Sequence, residues 1–189
     1  MSGRSNPAAA PVYDGMNVPD NIFLVGPMGS GKSAIGRQLA GALGREFIDS
    51  DSEIERRTGV DIALIFEKEG ESGFRVREAE VINLLTERHG IVLATGGGAV
   101  LDASNRKHLR SRGTVVYLRT SVDQQLVRTG RSDDRPLLRN GDRRATLVRL
   151  MDVRAPLYEE LATLTVDTDG RKVKTVVEEI IRRLGNTDA

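Results

Sequence analysis

The chain has 189 residues, with 28 Lys and Arg against 27 Asp and Glu, four Phe, three Tyr, and neither Trp nor Cys. That length suits one domain with a substantial core, while balanced charge and scarce aromatics exclude a general polyanion or base-stacking surface and argue against a nucleic-acid partner. Without cysteine there is no disulfide, thiolate metal site or cysteine nucleophile, and no apolar stretch nears the roughly 20 residues of a membrane span.

Residues 1–20 are rich in Pro, Ala, Gly, Ser and Asn and lack an apolar leader core, so they are expected to form a flexible tail. A single domain over 21–189 follows, in a cytoplasmic protein. Ile22-Phe23-Leu24-Val25 is an apolar run of strand length that delivers the chain into Gly-Pro-Met-Gly-Ser-Gly-Lys-Ser at 26–33. A helical pattern (Ile35, Leu39, Ala40, Leu43) begins at once behind it. Gly26, Gly29 and Gly31 let successive N–H groups turn inward toward phosphate oxygens, and the helix adds its unpaired N–H groups and positive dipole end. In this pattern Lys32 reaches the β- and γ-phosphates and the Ser33 hydroxyl sits on Mg²⁺. A strand before and a helix behind leave a chance glycine-rich loop a poor account, so the chain is expected to bind a nucleoside triphosphate.

Glu46–Asp49 is the next strand, ending in Asp49-Ser50-Asp51. Alternate residues there can send one carboxylate to the metal-phosphate region and the other to an acceptor hydroxyl whose proton it takes. Equally, Ser50 or Asp51 is a good N-cap for a helix starting at Glu53, and the two roles can be divided between the carboxylates. Short helices over 51–57 and 61–69, split by Thr58-Gly59, precede a longer helix over 71–88 whose buried side holds Phe74, Ala79, Val81, Ile82, Leu84 and Leu85. Arg75 and Arg77 near its start are by default solvated surface groups. Ile91–Ala94 is a buried strand, and Gly96-Gly97-Gly98 behind it lets the backbone approach a ligand closely.

Asp102 starts a helix to about Ser111, Thr114–Leu118 is a strand, and Ser121 with Gln124 forms a capping-box pattern for a helix to about Thr129. The polar stretch 130–141 carries Arg131, Arg135 and Arg139 and has little apolar surface to pack. It reads as a solvated loop or, beside a triphosphate, as a lid that brings positive charge. A helix over 143–162 with Pro156 as a candidate interruption, a strand at Leu164–Val166 and a closing helix over 173–184 complete the chain. His89 and His108 are isolated and read as helix-surface residues. Strands alternating with helices predict an α/β fold, a five-stranded parallel sheet covered on both faces. Ligands bind such sheets at the carboxyl ends of the strands, so 26–33, 49–51 and 96–98 should converge.

Taken in order, the phosphate loop, Asp-Ser-Asp at 49–51, Gly-Phe-Arg at 73–75, Gly-Gly-Gly at 96–98, Arg-Pro-Leu-Leu at 135–138 and Arg-Ala-Pro-Leu-Tyr at 154–158 resemble the shikimate kinases over about residues 21–184. The resemblance implies a three-layer α/β/α P-loop kinase fold of the nucleoside monophosphate kinase type, with an acceptor-binding helical region over 51–80 and a lid over 128–141. It implies Mg²⁺-dependent transfer of the γ-phosphoryl group of ATP to the 3-hydroxyl of shikimate, a step toward chorismate and the aromatic amino acids, carried out by a monomer.

By matching positions, Asp51, Arg75, Gly97 and Arg154 hold shikimate. Arg75 and Arg154 grip its carboxylate, and Asp51 orients the reacting hydroxyl as candidate base. Gly29, Ser30, Gly31, Lys32, Ser33 and Ala34 cradle the ATP phosphates; Ser33 ligates magnesium and Asp49 assists through water. Lys32 and Arg135 stabilise the transferring group, and Arg128 and Arg171 lie near adenine, Arg128 by stacking. Ala34 stands where many relatives carry Thr, and Asp169-Gly170-Arg171-Lys172-Val173 where some carry a proline. Two rivals share the phosphate loop: another small-molecule kinase, for gluconate or a nucleotide, and a catalytically idle ATP-binding regulator. A nucleotide acceptor brings its own phosphate, whereas two arginines and a carboxylate suit an acid bearing hydroxyls. An idle regulator has no chemical need of Lys32, Ser33, Asp51 and Arg135 together.

Overall fold

Strands buried on both faces are written as unbroken apolar runs, and β1 (Ile22–Val25) and β3 (Ile91–Ala94) have every residue buried. The computed structural model describes residues 18–130 and 142–186 of the chain. Its five strands, completed by β2 (Glu46–Asp49), β4 (Thr114–Arg119) and β5 (Leu164–Asp167), form one parallel sheet in the order β2-β3-β1-β4-β5. Phe23 therefore lies between Leu93 and Val115, and β1 is central.

Because side chains alternate across a strand, β1 feeds two cores. Ile22 and Leu24, with Val92, Val116 and Val166, pack beneath α1 (Lys32–Leu43) and α7 (Val173–Gly185). Phe23 and Val25, with Leu93, Val115 and Tyr117, pack beneath α2 (Ser50–Thr58), α3 (Ile62–Thr86), α4 (Ala103–Arg112) and α6 (Arg143–Leu161). α5 (Val122–Thr129) meets α6 through Leu126 and Leu147 in a smaller cluster around Met28, which clamps the loop after β1. The three-layer α/β/α expectation is met. Among the described residues no helix is long and apolar enough to cross a membrane.

Several local expectations are corrected. α2 begins at Ser50, not Glu53, and its cap is Asp49, whose Oδ1 accepts from the N–H groups of Asp51 (3.1 Å) and Ser52 (3.4 Å). The helices expected over 61–69 and 71–88 are both present as the two arms of α3, which part at the non-helical Gly70, and only the end of the second differs, at Thr86. With φ 70° and ψ −176°, Gly70 adopts a conformation that a side chain would disfavour. α6 runs through Pro156 without interruption; the carbonyl that loses its N–H partner belongs to Asp152, an exposed residue, so water can satisfy it. Only half of the expected capping box forms. Ser121 Oγ accepts from Gln124 N, but Gln124 Oε1 accepts from Gly170 N and the Ser121 N–H goes to Asp169. His89 lies past the end of α3, 3.1 Å from Asp20, whereas His108 is half-buried on α4. The lid expected over 128–141 falls mostly on 131–141, so Arg131, Arg135 and Arg139 lie outside the described residues, as does most of the expected tail.

Candidate active site

A glycine-rich turn leaves the end of the central strand and enters α1 through Gly31, at φ 91°. No side chain caps this helix, so its first-turn N–H groups face the mouth of the loop, a ready anion site. Lys32 Nζ is held over the same turn, donating to the carbonyls of Gly26 and Pro27 at 2.8 Å and to Ser30 Oγ at 3.4 Å. Next to it the Ser33 hydroxyl donates to Asp49 Oδ2 at 2.7 Å. Asp49 thus does two jobs, capping α2 with one oxygen and meeting the phosphate-loop serine with the other. Two adjoining hard oxygen donors fit a cation that keeps waters and takes its remaining ligands from phosphate. Among the described residues no cluster of three or more His, Asp or Glu offers an all-protein metal cage.

These groups line one cavity of about 250 Å³, bounded by Met28, Gly29, Lys32, Ser33, Ala34, Asp49, Asp51, Thr95, Gly96, Gly97 and Arg128. The three strand-end segments therefore do converge. Ser50, fully buried between the two aspartates, ties them together by accepting from Gly96 N at 3.0 Å.

The need for glycine at 96 and 98 becomes clear from what lies over each position of the turn. A methyl group on Gly96 would stand 2.6 Å from Glu78 Oε1 and 2.8 Å from Asp51 Oδ1. On Gly97 it would stand 3.7 Å from Arg154 Nη1, and on Gly98 2.3 Å from Arg75 Nη2. Gly96 makes room for two carboxylates and Gly98 for a guanidinium group, whereas a methyl on Gly97 would meet Arg154 only at ordinary contact distance, and the turn sets carboxylates at one end and guanidinium groups at the other.

Electrostatics differ sharply between the two arginines. Arg75 donates to Glu78 Oε2 at 2.6 Å and to Glu71 Oε1 at 2.8 Å. Burial pulls its pKa down, but these two carboxylates outweigh burial and leave it above the ordinary value. Arg154 is only 4% exposed and, among the described residues, has no carboxylate ion pair. Burial pushes its guanidinium below the ordinary arginine value, and the like charge of Arg75 adds to that. Its nearest support is the Tyr158 hydroxyl, which also donates to the Gly97 carbonyl. Glu78, 1% exposed, is raised above the usual carboxylate range by burial despite its arginine neighbours, and its Oε1 has no hydrogen-bond partner among the described residues. A buried cation with no carboxylate ion pair among the described residues, near a phosphate loop, is chemically suited to receive an anionic group.

The structure thus brings together Gly29, Gly31, Lys32, Ser33, Ala34, Asp49, Asp51, Arg75, Gly97, Arg128 and Arg154. Ser30 is buried beneath the loop as an acceptor for Lys32. The Arg128 guanidinium is tied by hydrogen bonds to Gly29 O (2.9 Å), Thr168 Oγ1 (3.1 Å) and Thr168 O (2.8 Å). Arg171 is not among the residues lining the cavity; it bonds the Asp167 carbonyl at 3.0 Å and pairs with Glu179 at 2.6 Å. Arg77, unlike Arg75, is the surface residue expected of it, in a forked pair with Glu69 (2.9 and 2.7 Å). Sequence reasoning missed Glu71, Glu78 and Tyr158. The spacing of both glutamates from Arg75, four residues before and three after, was a usable signal.

A family described as shikimate kinase matches residues 28–185. The shikimate kinase of Alteromonas mediterranea is 56% identical over 165 residues, 87% of this chain and 96% of that protein. That of Vibrio cholerae is 57% identical over 164 residues, 87% of this chain and 94% of that protein. Among solved structures, shikimate kinase from Acinetobacter baumannii in complex with shikimate superimposes with a TM-score of 0.88 at 51% identity, covering 90% of this chain and 96% of that one. A gluconokinase from Sinorhizobium meliloti, at 22% identity and a TM-score of 0.57 over 88% of this chain and 92% of that one, shares the fold.

Proposed function

The chain belongs to the shikimate kinase family, and on that premise we propose how its residues divide the work of moving the γ-phosphoryl group of ATP to the 3-hydroxyl of shikimate. The products are shikimate 3-phosphate and ADP, in a step toward chorismate and the aromatic amino acids. The observation that carries the residue assignment is the buried guanidinium of Arg154, which has no carboxylate partner among the described residues and stands over the same glycine turn as Asp51.

In this reading Arg154 and Arg75 receive the shikimate carboxylate, with guanidinium forks suited to a planar anion. Gly97 lets the ring lie close to the backbone. Asp51 receives the 3-hydroxyl, orients its lone pair toward the γ-phosphorus, and takes its proton as the new oxygen–phosphorus bond forms and the bond to the β-γ bridging oxygen breaks. Gly29, Ser30, Gly31, Lys32, Ser33 and Ala34 hold the triphosphate; Lys32 leaves the carbonyls of Gly26 and Pro27 for the phosphates. Ser33 and Asp49 would hold the divalent metal such a kinase uses, here Mg²⁺, which supplies positive charge against the phosphate oxygens when bound. Arg128 bounds the nucleotide side, Arg171 is assigned to the rim near adenine, and Arg135 is assigned to the transferring group. Every proposed contact comes from one chain, which favours a monomer, and a reaction fed by ATP and a biosynthetic acid is assigned to the cytoplasm.

ADP release measured in a coupled assay should rise with shikimate and stay at background with gluconate or a nucleoside monophosphate. Stimulation by either of the latter alone would overturn the acceptor. The residue assignment has its own test in Gly98→Ala. At φ −96° alanine fits the backbone, but its methyl would occupy the place of the Arg75 guanidinium, which can swing away. KM for shikimate should rise about 10-fold, the loss of one hydrogen bond to a charged group, with KM for ATP little changed and Tm lowered, because the displaced guanidinium leaves the buried Glu78 carboxylate without its partner. An unchanged KM for shikimate would remove Arg75 from the carboxylate grip.

A further inference from the structure

Tyr158 is fully buried, and the reaction as described makes no use of its hydroxyl. It follows Arg154 by four residues on α6, so both side chains leave the same face of the helix. Its ring lies against that of Tyr117 from β4, centroids 5.0 Å apart and planes at 25°, which fixes the direction of Oη. From there Oη donates to the Gly97 carbonyl, and the Arg154 guanidinium, whose Nη1 also lies over Gly97, is close enough to act on it electrostatically. A hydroxyl has one proton to give and lone pairs to receive with, so its bond to Gly97 leaves Oη able to accept from the guanidinium beside it. Burial raises its pKa well above that of free tyrosine, which keeps the proton on Oη at neutral pH.

Neither of the groups it joins is otherwise well fixed. Gly97 has no side chain, and Arg154 has no carboxylate partner among the described residues to orient its long side chain. We infer that Tyr158 is a positioning residue for the acceptor carboxylate, holding the Arg154 guanidinium and the Gly97–Gly98 peptide at a set separation so that the anion meets a preformed fork. This inference rests on the reading that Arg154 grips that carboxylate. Its physical basis is preorganisation: an arginine already held by a rigid aromatic loses little rotamer freedom when the ligand arrives.

Tyr158→Phe keeps the ring and its stacking and deletes only Oη. It is assayed beside the parent enzyme with two acceptors, shikimate and the analogue whose carboxylate is reduced to a hydroxymethyl group. The parent should prefer shikimate by about 10²-fold in kcat/KM, two charge-assisted bonds at roughly tenfold each. If it shows no preference, the carboxylate reading of Arg154 fails before Tyr158 is tested. Given that preference, Tyr158→Phe should raise KM for shikimate about 10-fold and shrink the preference by about the same factor, with kcat within about 3-fold and KM for ATP unchanged. A purely structural role would lower both acceptors alike, so an intact preference overturns the inference. Should the phenylalanine variant not fold, 2,3-difluorotyrosine in place of Tyr158 keeps the hydroxyl but weakens Oη as an acceptor. The preference should then fall about 3-fold, a fraction of one such bond, and a preference equal to the parent's overturns the inference.

Discussion

Asp51→Asn is expected to lower kcat by about 10²–10⁴-fold, the range over which a positioned general base contributes, while the affinity for ADP stays within about 2-fold. The substitution is nearly isosteric, so the first turn of α2 and its cap from Asp49 should persist. What is lost is the capacity to take a proton. Glu78 cannot take over easily: its Oε1 is near the same point above Gly96, but its other oxygen is committed to Arg75 at 2.6 Å, which holds the carboxylate in place. Nucleotide affinity is the internal control because the phosphates are assigned to the loop at 26–33 and Lys32, not to Asp51. Turnover within about 10-fold of the parent would leave Asp51 an orienting group and not a base.

Arg154→Met should have two opposite consequences. KM for shikimate is expected to rise about 10²-fold, equivalent to about 2.7 kcal/mol, the scale of two charge-assisted hydrogen bonds. The ligand-free protein should at the same time melt at a higher temperature. Arg154 is buried beside another arginine and lacks a carboxylate of its own among the described residues, so it is held at a cost that an apolar side chain of similar length avoids. A group retained for its ligand and not for the fold leaves this signature of stability gained and function lost. An unchanged KM would refute its role in binding, and a large fall in Tm would mean that Arg154 supports the fold.

The parts of the architecture legible from the chain were those decided by local pattern. Ile22–Val25 and Ile91–Ala94 are apolar throughout because both faces of the sheet are covered, and the loop at 26–33 requires its glycines wherever it occurs. Local pattern offered Ser50 or Asp51 as the cap of α2 and passed over Asp49, although all three are good capping residues. Asp49 takes that role because the end of β2 brings it to Ser33, 16 residues earlier in the chain. The strand order was equally out of reach, as placing β1 between β3 and β4 depends on pairing across the whole domain. Glu78 looked like any polar position on a long helix; its importance arises only when α3 is laid beside the glycine turn. Tyr158 was visible as part of a motif, but its bond to Gly97, 61 residues away, was not.

The bend at Gly70 divides α3 into an outer arm, with Ile62 to Glu69, and an inner shaft that carries Arg75. Two fasteners cross that joint. Inside, the rings of Phe66 and Phe74 meet at 4.9 Å; outside, Glu69 and Arg77 form their exposed fork. The aromatic fastener is indifferent to dissolved ions, whereas the ionic one weakens as the Debye length shrinks from about 10 Å at 0.1 M to about 3 Å at 1 M. Concentrated electrolyte therefore loosens the outer arm on a hinge that stays packed within, and leaves the arginine shaft where it stands.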